Sequence, residues 1–323
     1  MPARKRNDLP RPFLKWAGGK TQLLPQFQAY YPAKSLVKRY VEPFVGSGAV
    51  FFDVKRLLQP PTVVLADSNE ELIGVYLAIQ GEVEDVLGHL RHHERFHCRE
   101  YYYRTREGKA RYLSRAARAA RFIYLNKTCF NGLYRVNSNG QFNVPLGDYK
   151  NPRIVDEDNL RAASLALRGV EFKAVHFRKT LTYAKRDDFI YFDPPYDPLS
   201  STSNFTAYTQ SQFGELEQKE LARLYHQLDG IGCHVMLSNS ATPLVLRLYE
   251  NERFTINPVK ARRSINSKAD RRGPIQEVVV LNYNPFDVHP KEHRQEVRTT
   301  SATRRPGPRR ARQGKSRREL RLP

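Results

Sequence analysis

Short apolar runs bounded by turn residues recur along this chain and predict buried strands. They lie near residues 37–41, 63–66, 189–192, 233–238 and 276–283. Continuous apolar runs are typical of parallel strands, which are covered on both faces. The last run is expected to pair with residues 254–261 as a hairpin, and residues 215–228 have the apolar spacing of a helix. The pattern predicts an α/β fold with a mostly parallel sheet.

The chain between the second and third apolar runs is much longer than one crossover needs. Amphipathic helical patterns cover residues 82–95 and 109–125. Residues 137–145 have the pattern of a β-hairpin whose tip is an Asn-Gly pair. We therefore predict that residues 69–155 form a second, mainly helical domain that carries a hairpin.

Arginines and tyrosines are interleaved in this predicted second domain, which carries fourteen Lys or Arg and nine Asp or Glu. The arginines are candidates for contacts with nucleic-acid phosphates. Most of the tyrosines are expected in the core, because the helices that hold them are amphipathic. These tyrosines are Tyr101, Tyr102, Tyr103, Tyr112 and Tyr124.

An Asp-Pro-Pro-Tyr motif at residues 193–196 directly follows a predicted strand. Two consecutive prolines stiffen the loop and remove two backbone donors, so acceptors dominate there. The Asp193 carboxylate and the Pro194 carbonyl can both accept from one NH₂ group, and the Tyr196 ring offers a face to a heterocyclic base. The alternative is a proline-rich strand exit with Tyr196 at the edge of the core.

A second motif, at residues 40–51, joins an apolar strand to a helix through a glycine turn. Gly46 and Gly48 let the backbone approach a ligand closely. About twenty residues further on, a strand ends in Asp67, where a carboxylate can accept from both hydroxyls of a ribose. The third glycine of the dinucleotide fingerprint is missing. Together the two pieces favour a nucleoside ligand, although each alone also fits an ordinary β–α–β turn.

Gly19, Lys20 and Thr21 suggest a phosphate-binding loop near the N-terminus. That motif requires a glycine at the position of Leu14. An NTPase is therefore rejected.

These motifs, in this order, resemble the Dam-type DNA adenine methyltransferases, in which the cofactor motif precedes Asp-Pro-Pro-Tyr. The resemblance covers roughly residues 11–286. Several independent blocks carry it: residues 13–20, 41–48, 65–67, 142–145, 193–196, 204–208 and 262–265. It implies a Rossmann-like, S-adenosylmethionine-dependent methyltransferase sheet with an inserted DNA-recognition domain, and methyl transfer to adenine N6 in duplex DNA.

The resemblance also implies the roles of individual residues. S-adenosyl-L-methionine is expected to bind at Trp16, Lys20, Glu42, Phe44, Gly46, Gly48, Asp67 and Asp193. Catalysis is expected from Asp193, Pro194 and Tyr196, on an adenine swung out of the duplex. DNA contacts are expected from Lys15, Phe130, Asn131, Leu133, Arg135 and Pro145.

Among these DNA contacts, Arg135 matches the arginine that reads a guanine, and a guanidinium fits guanine O6 and N7. GATC is therefore the implied target, and Asn131 is expected to fill the gap left by the flipped adenine. Phe130 departs from the family, which commonly has tyrosine there, so ring stacking is retained but a hydroxyl contact is lost. Residues 127–129 also differ from what the family pattern leads us to expect at these positions. We expect these changes to affect the strictness of target recognition and not the chemistry.

The chain has 54 Lys and Arg against 33 Asp and Glu, a net charge of +21, which implies a polyanionic partner. Residues 289–323 carry twelve Lys or Arg and three Asp or Glu with almost no apolar residues, so a disordered basic tail is predicted there. The tail is either a non-specific DNA tether or a solvated terminus without a selected role.

Several other classes of protein and site are not predicted. No apolar run approaches the ~18 residues of a membrane span, and a signal peptide is not seen. Three scattered cysteines do not suggest a disulfide framework, which favours the cytoplasm. His89, His93 and His97 are expected to share a helix face, but no second ligand group follows at a matching spacing, so no metal site is predicted.

The predicted organisation is a catalytic domain at residues 1–68 and 156–288, a target-recognition domain at 69–155 and a tail at 289–323. The resemblance favours a monomer on double-stranded DNA. Two alternatives stay open: an N-methyltransferase acting on RNA or a protein amide, and a DNA-binding protein without catalysis. The guanine-reading hairpin argues against the first, and the intact cofactor and catalytic motifs argue against the second.

Overall fold

Seven strands form one sheet in the computed structural model, which describes residues 9–108, 110–198, 213–262 and 274–286. Their order across the sheet is β3-β2-β1-β4-β5-β7-β6. The strands are β1 (Arg39–Glu42), β2 (Thr62–Asp67), β3 (Val170–Ala174), β4 (Asp188–Phe192), β5 (His234–Ser240), β6 (Thr255–Arg262) and β7 (Pro274–Leu281). Strands β1 to β5 pair in parallel, whereas β7 is antiparallel to both β5 and β6. The predicted α/β fold and its terminal hairpin are confirmed.

Helices connect the strands and cover the sheet. They are α1 (Leu24–Phe27), α2 (Ala49–Leu57), α3 (Glu70–Gly81), α4 (Val83–Arg95), α5 (Arg99–Glu107), α6 (Arg115–Thr128), α7 (Glu157–Ala166), α8 (Glu215–Ile231) and α9 (Pro243–Tyr249). Helix α6 begins later than the predicted residue 109, because the Ser114 side chain accepts from the backbone N–H of Ala117 and caps the helix there.

Strand β4 lies at the centre of the sheet, and all five of its residues are buried. Phe189 and Tyr191 pack into one hydrophobic cluster, while Ile190 and Phe192 pack into the cluster on the other face. A strand covered on both faces has few polar positions, and after Asp188 the sequence of β4 is a continuous apolar run. This arrangement places the residue after β4 at the carboxyl edge of the sheet.

Strand β3 and several helices, among them α3, α5, α7 and α9, are absent from the prediction. Strand β3 is an edge strand that pairs only with β2, and of its five residues only Val170 is buried. Its sequence therefore lacks the apolar run that marks the inner strands.

Between β2 and β3 the chain forms helices α3 to α7. Helix α3 packs against β2, β3 and α6, so it contacts both the sheet and the helical region. Tyr101, Tyr102 and Tyr124 are buried, as predicted for most of these tyrosines, whereas Tyr112 is 71% exposed. The division of the chain at residues 69 and 155 stays a prediction.

The predicted helix face of His89, His93 and His97 is wrong in one respect, because α4 ends at Arg95 and His97 lies beyond it. His93 Nδ1 is 2.7 Å from the Tyr101 hydroxyl, and the His93 ring stacks on Tyr124. The ring therefore belongs to the packing of the helical region.

The predicted hairpin is present, with Asn139 and Gly140 at its tip. Val136 and Phe142 form an antiparallel bridge, and the backbone N–H of Asn137 donates to Gln141 at 2.9 Å. The pairing consists of isolated bridges and not of two continuous strands.

Residues 204–208, 263–265 and the predicted tail at 289–323 lie outside the described residues. Within the described ranges, no helix is long and apolar enough to cross a membrane.

Candidate active site

An open cleft of about 1840 Å³ lies where β1, β2 and β4 end. Strand β1 stands between β2 and β4, so the direction of strand succession reverses there, and such reversals form crevices in open α/β sheets. The lining includes nearly all residues predicted for the cofactor and for catalysis: Trp16, Lys20, Glu42, Phe44, Gly46, Asp67, Asp193, Pro194 and Tyr196. Motifs separated by up to 180 positions in the sequence are thus brought together.

Asp193 follows β4 directly, and two side chains hold one of its oxygens. Lys20 Nζ is 2.8 Å from Oδ1 in an ion pair, and Ser238 Oγ donates to the same oxygen at 3.1 Å. Burial raises the pKa of Asp193, although Lys20 and Ser238 both act to lower it. The second carboxylate oxygen, Oδ2, makes neither of these contacts.

The rest of the Asp-Pro-Pro-Tyr loop is anchored to the sheet and to α8. The Gln218 side chain donates to the Pro195 carbonyl at 3.1 Å. The Tyr196 hydroxyl donates to Glu277 on β7 at 2.8 Å, and Lys20 Nζ lies 4.4 Å from the centre of the Tyr196 ring. These contacts fix the orientation of the ring that is predicted to stack on the target base.

The glycine turn after β1 lies against Trp16. Gly46 has φ of +46°, and a Cβ atom added there would lie only 2.8 Å from Cδ1 of Trp16. The backbone of this turn therefore approaches the indole as only glycine permits. Gly48 precedes α2 and packs against Tyr76, whose hydroxyl donates to the Gly46 carbonyl. Gly48 thus packs on the same tyrosine that holds the turn in place.

Two further carboxyl groups stand at the ends of β1 and β2. Asp67 accepts from the backbone N–H groups of Asn69 at 3.0 Å and Gly46 at 3.3 Å. Glu42 is buried and accepts from the Tyr40 hydroxyl at 2.7 Å. Burial raises the pKa of both carboxyls, strongly for Glu42, and the nearby Asp193 charge raises that of Glu42 further.

A family model of D12 class N6 adenine-specific DNA methyltransferases matches residues 16–265. The chain belongs to this family. The match spans the glycine turn, the helical region and the Asp-Pro-Pro-Tyr loop. The enzyme is thus an adenine-specific DNA methyltransferase with a Rossmann-like methyltransferase sheet.

Relatives cover most of this methyltransferase. The chain is 43% identical over 279 residues to the type II methyltransferase M1.LlaDCHI of Lactococcus lactis. The matched region covers 84% of the chain and 95% of that relative. It is 42% identical over 288 residues to the type II methyltransferase M.MjaIII of Methanocaldococcus jannaschii. This match covers 84% of the chain and 99% of that relative. It is 36% identical over 286 residues to the DNA adenine methylase of Escherichia coli, covering 87% and 98%.

Apart from Lys15, the residues predicted to contact DNA lie on a loop and hairpin beside the cleft. Leu133 lines the cleft itself. Arg135 is half-buried, and Asn143 of the same hairpin accepts from its Nε at 2.7 Å and from its Nη2 at 3.3 Å. The guanidinium is therefore held at one edge, and its remaining N–H groups stay available to a ligand.

The other predicted DNA contacts differ in exposure. Phe130 is 50% exposed, and Asn131 and Pro145 are exposed as well. The Pro145 carbonyl accepts from the Phe130 N–H at 2.8 Å, which closes the base of the loop. Lys15 is half-buried, donates to the Lys127 carbonyl and lies 3.9 Å from the centre of the Tyr149 ring. Lys15 is thus engaged with the loop in this structure.

Four residues that support the Asp-Pro-Pro-Tyr loop were not predicted from the sequence. These are Gln218, Ser238, Asn239 and Glu277. Ser238 and Asn239 are polar residues that end the apolar run of β5, next to β4. Polar residues at that edge of a parallel sheet are a usable signal. Gln218 and Glu277 carry no such signal, because their position depends on how α8 and β7 pack.

Burial raises the pKa of Cys129 to about 11 and that of Cys233 to about 12. A nucleophilic cysteine needs a lowered pKa. The raised pKa of both thiols therefore argues against a nucleophilic role.

Proposed function

We propose that this methyltransferase transfers a methyl group from S-adenosyl-L-methionine to N6 of a flipped-out adenine in duplex DNA, at GATC. The observation that carries the proposal is the position of Asp193. Its carboxylate stands in the same cleft as Asp67 and the glycine turn, so a nucleoside bound to one and an amino group bound to the other would be neighbours.

The residues of the cleft fit a cationic nucleoside. Asp67, at the end of β2, offers oxygens to ribose hydroxyls, and Phe44 and Trp16 offer aromatic faces. Glu42 and Asp193 supply carboxyl groups for a molecule with positive charges. When bound, S-adenosyl-L-methionine supplies an electrophilic methyl group on a sulfonium. Gly46 and Trp16 shape the wall of its site.

The target amino group is held by acceptors of the Asp-Pro-Pro-Tyr loop. Oδ2 of Asp193 and the carbonyl of Pro194 accept from the two N6 hydrogens, while Lys20 and Ser238 hold Oδ1. Tyr196 stacks on the base, with its hydroxyl fixed by Glu277. The nitrogen lone pair is thereby aimed at the methyl group, so positioning and electrostatics carry most of the acceleration. The surplus proton leaves N6 after transfer.

Basic residues of the helical region line part of the cleft and favour a nucleic acid as substrate. They are Arg106, Arg111, Arg115 and Arg118. Asn137, Asn139 and Gln141 of the hairpin line the same cleft. Phosphate contacts by such arginines give non-specific affinity, whereas the hairpin is proposed to contact base edges in a groove.

Arg135 is proposed to read guanine O6 and N7, with Asn143 holding one edge of its guanidinium. Leu133 and Pro145 offer apolar contacts to a thymine methyl, and Phe130 stacks on the orphaned base. The relatives named DNA adenine methylase are consistent with this adenine chemistry.

The test is transfer of labelled methyl to duplexes that hold GATC, its single-base variants or no related site. Label confined to GATC, with Arg135→Ala losing discrimination at one base pair by roughly 1–3 kcal/mol, supports the proposal. Label on all duplexes overturns the GATC assignment. Label on RNA or on a protein amide alone overturns the DNA substrate.

Action as a monomer, independence from metal ions, a cytoplasmic location and a recognition domain at residues 69–155 remain proposals. They are consistent with a chain in which the residues proposed for the cofactor and for catalysis line one cleft.

A further inference from the structure

The Asn126 side chain, near the end of α6, joins two segments with different roles. It is 1% exposed, and its Oδ1 accepts from the backbone N–H of Lys15 at 2.8 Å. Its Nδ2 donates to the Lys15 carbonyl at 2.7 Å and to the Gly132 carbonyl at 3.1 Å. One buried amide therefore binds the segment next to Trp16 and the loop proposed to read DNA.

The two segments also touch directly. Gly132 has φ of +62°, and a Cβ atom added there would lie 2.4 Å from Cβ of Lys15. The next residue along the chain from Lys15 is Trp16, which borders the cofactor site, and Gly132 directly follows Asn131. No side chain larger than hydrogen fits between them.

An aromatic stack forms the second link. The Trp16 ring stacks on Tyr134 with centroids 5.7 Å apart, and Phe122 stacks on both rings. The Tyr134 hydroxyl donates to Glu71 at 3.0 Å on α3. Tyr134 lies between Leu133 and Arg135 in the sequence, so the residue that supports Trp16 also sets the position of the base-reading side chains.

We propose that Asn126 and Tyr134 are positioning residues that couple occupancy of the cofactor site to target recognition. This inference rests on the proposed function. A ligand against Trp16 would contact the indole, the indole stacks on Tyr134, and the Asn126 side chain holds both Lys15 and Gly132. A displacement at either site is thereby passed through packed side chains to the other, which makes the binding of the two ligands cooperative.

Coupling of this kind is reciprocal, so each ligand changes the affinity for the other by the same factor. Such factors are roughly 5- to 150-fold in proteins. A residue with a purely structural role lowers stability without changing this factor. The coupling factor therefore separates the two roles.

The experiment measures binding of S-adenosyl-L-homocysteine to the full chain by calorimetry, alone and with a saturating GATC duplex. The coupling factor is the ratio of the two dissociation constants. It is measured for wild type, Asn126→Ala, Tyr134→Leu and Tyr134→Phe, with Tyr183→Leu as a control. Tyr183 is a half-buried tyrosine outside the cleft lining, next to Thr180.

We expect the duplex to tighten the binding of S-adenosyl-L-homocysteine to the wild type. The coupling factor should fall about tenfold, toward one, in Asn126→Ala and Tyr134→Leu. Tyr134→Phe keeps the ring and should retain the factor, as should Tyr183→Leu. If Asn126→Ala fails to fold, the comparison of Tyr134→Leu with Tyr134→Phe decides.

A wild-type factor retained in Tyr134→Leu overturns the inference, as does a factor of one in a wild type that binds both ligands. Neither of these results touches the proposed function. Failure of the wild type to bind S-adenosyl-L-homocysteine at all overturns the proposed function together with the inference.

Discussion

Replacing Gly46 with alanine tests the shape of the cofactor site. The added Cβ would lie 2.8 Å from Cδ1 of Trp16, so the indole must shift by roughly 0.6 Å to reach an ordinary contact of 3.4 Å. A left-handed conformation at φ of +46° also costs an alanine about 1–2 kcal/mol. The indole is held by two stacked rings and cannot move without disturbing them.

We expect Gly46→Ala to lower the free energy of unfolding by about 1–2 kcal/mol and to weaken S-adenosyl-L-homocysteine binding at least tenfold, which is about 1.4 kcal/mol. Urea denaturation and calorimetry measure the two quantities. Gly88→Ala is the matched control, because Gly88 is exposed on α4 with nothing within 4 Å of an added Cβ. The control should gain about 0.5–1 kcal/mol and bind normally. Wild-type affinity in Gly46→Ala would refute the reasoning.

Three more predictions follow from buried groups. Asp188→Ala should lower the free energy of unfolding by about 3–5 kcal/mol in urea, because Arg39 donates to both Asp188 oxygens, at 3.0 and 2.6 Å, and would lose its buried partner. Burial lowers the pKa of His93 from 6.5 to about 4, so its neutral form stabilises the fold above pH 6.5 and this contribution is lost as the pH falls towards 4. In His93→Phe, the part of the loss of unfolding free energy that comes from protonation of His93 should disappear. Urea denaturation at a series of pH values measures this loss. Glu277→Ala frees the Tyr196 hydroxyl and should lower kcat roughly 10- to 100-fold at unchanged S-adenosyl-L-homocysteine affinity, measured by single-turnover kinetics and calorimetry.

Each of these has a control or a contrary result. Glu252→Ala, at an exposed loop position, should change stability by less than about 0.5 kcal/mol. A similar small change in Asp188→Ala would contradict the ion-pair argument. If the free energy of unfolding of His93→Phe depended on pH as that of the wild type does, the attribution of this pH dependence to His93 would be contradicted. Glu277→Gln keeps an acceptor for Tyr196 and should retain more of the rate than Glu277→Ala, so equal losses would argue against a positioning role.

The central strands were predictable because burial on both faces leaves a clear mark on the sequence. Strand β4 has only apolar residues after Asp188, and the motif at residues 193–196 follows it directly. Strand β3 leaves no such mark, because it pairs on one side only and exposes most of its residues. The apolar runs and the motifs after them therefore predicted the edge of the sheet where the cleft lies, but they did not predict every strand.

The candidate site divides in the same way. Local motifs name the residues that line the cleft, such as Asp193 and Asp67, because their spacing along the chain is fixed by strand and turn geometry. Glu277 lies 81 positions from its partner Tyr196, and Asn126 lies 111 positions from Lys15. Contacts of this range arise from tertiary packing, and a single sequence does not record them.

The most direct test of the account is a single-turnover transfer of labelled methyl from S-adenosyl-L-methionine to a GATC duplex, followed by digestion to nucleosides. The wild type should label N6-methyladenine alone. Asp193→Asn, which removes the carboxylate charge beside Lys20, should bind DNA but transfer the methyl group at least 10²-fold more slowly at saturating S-adenosyl-L-methionine, since such contacts act on the transition state. Wild-type transfer by Asp193→Asn, or label on another base, would contradict the account.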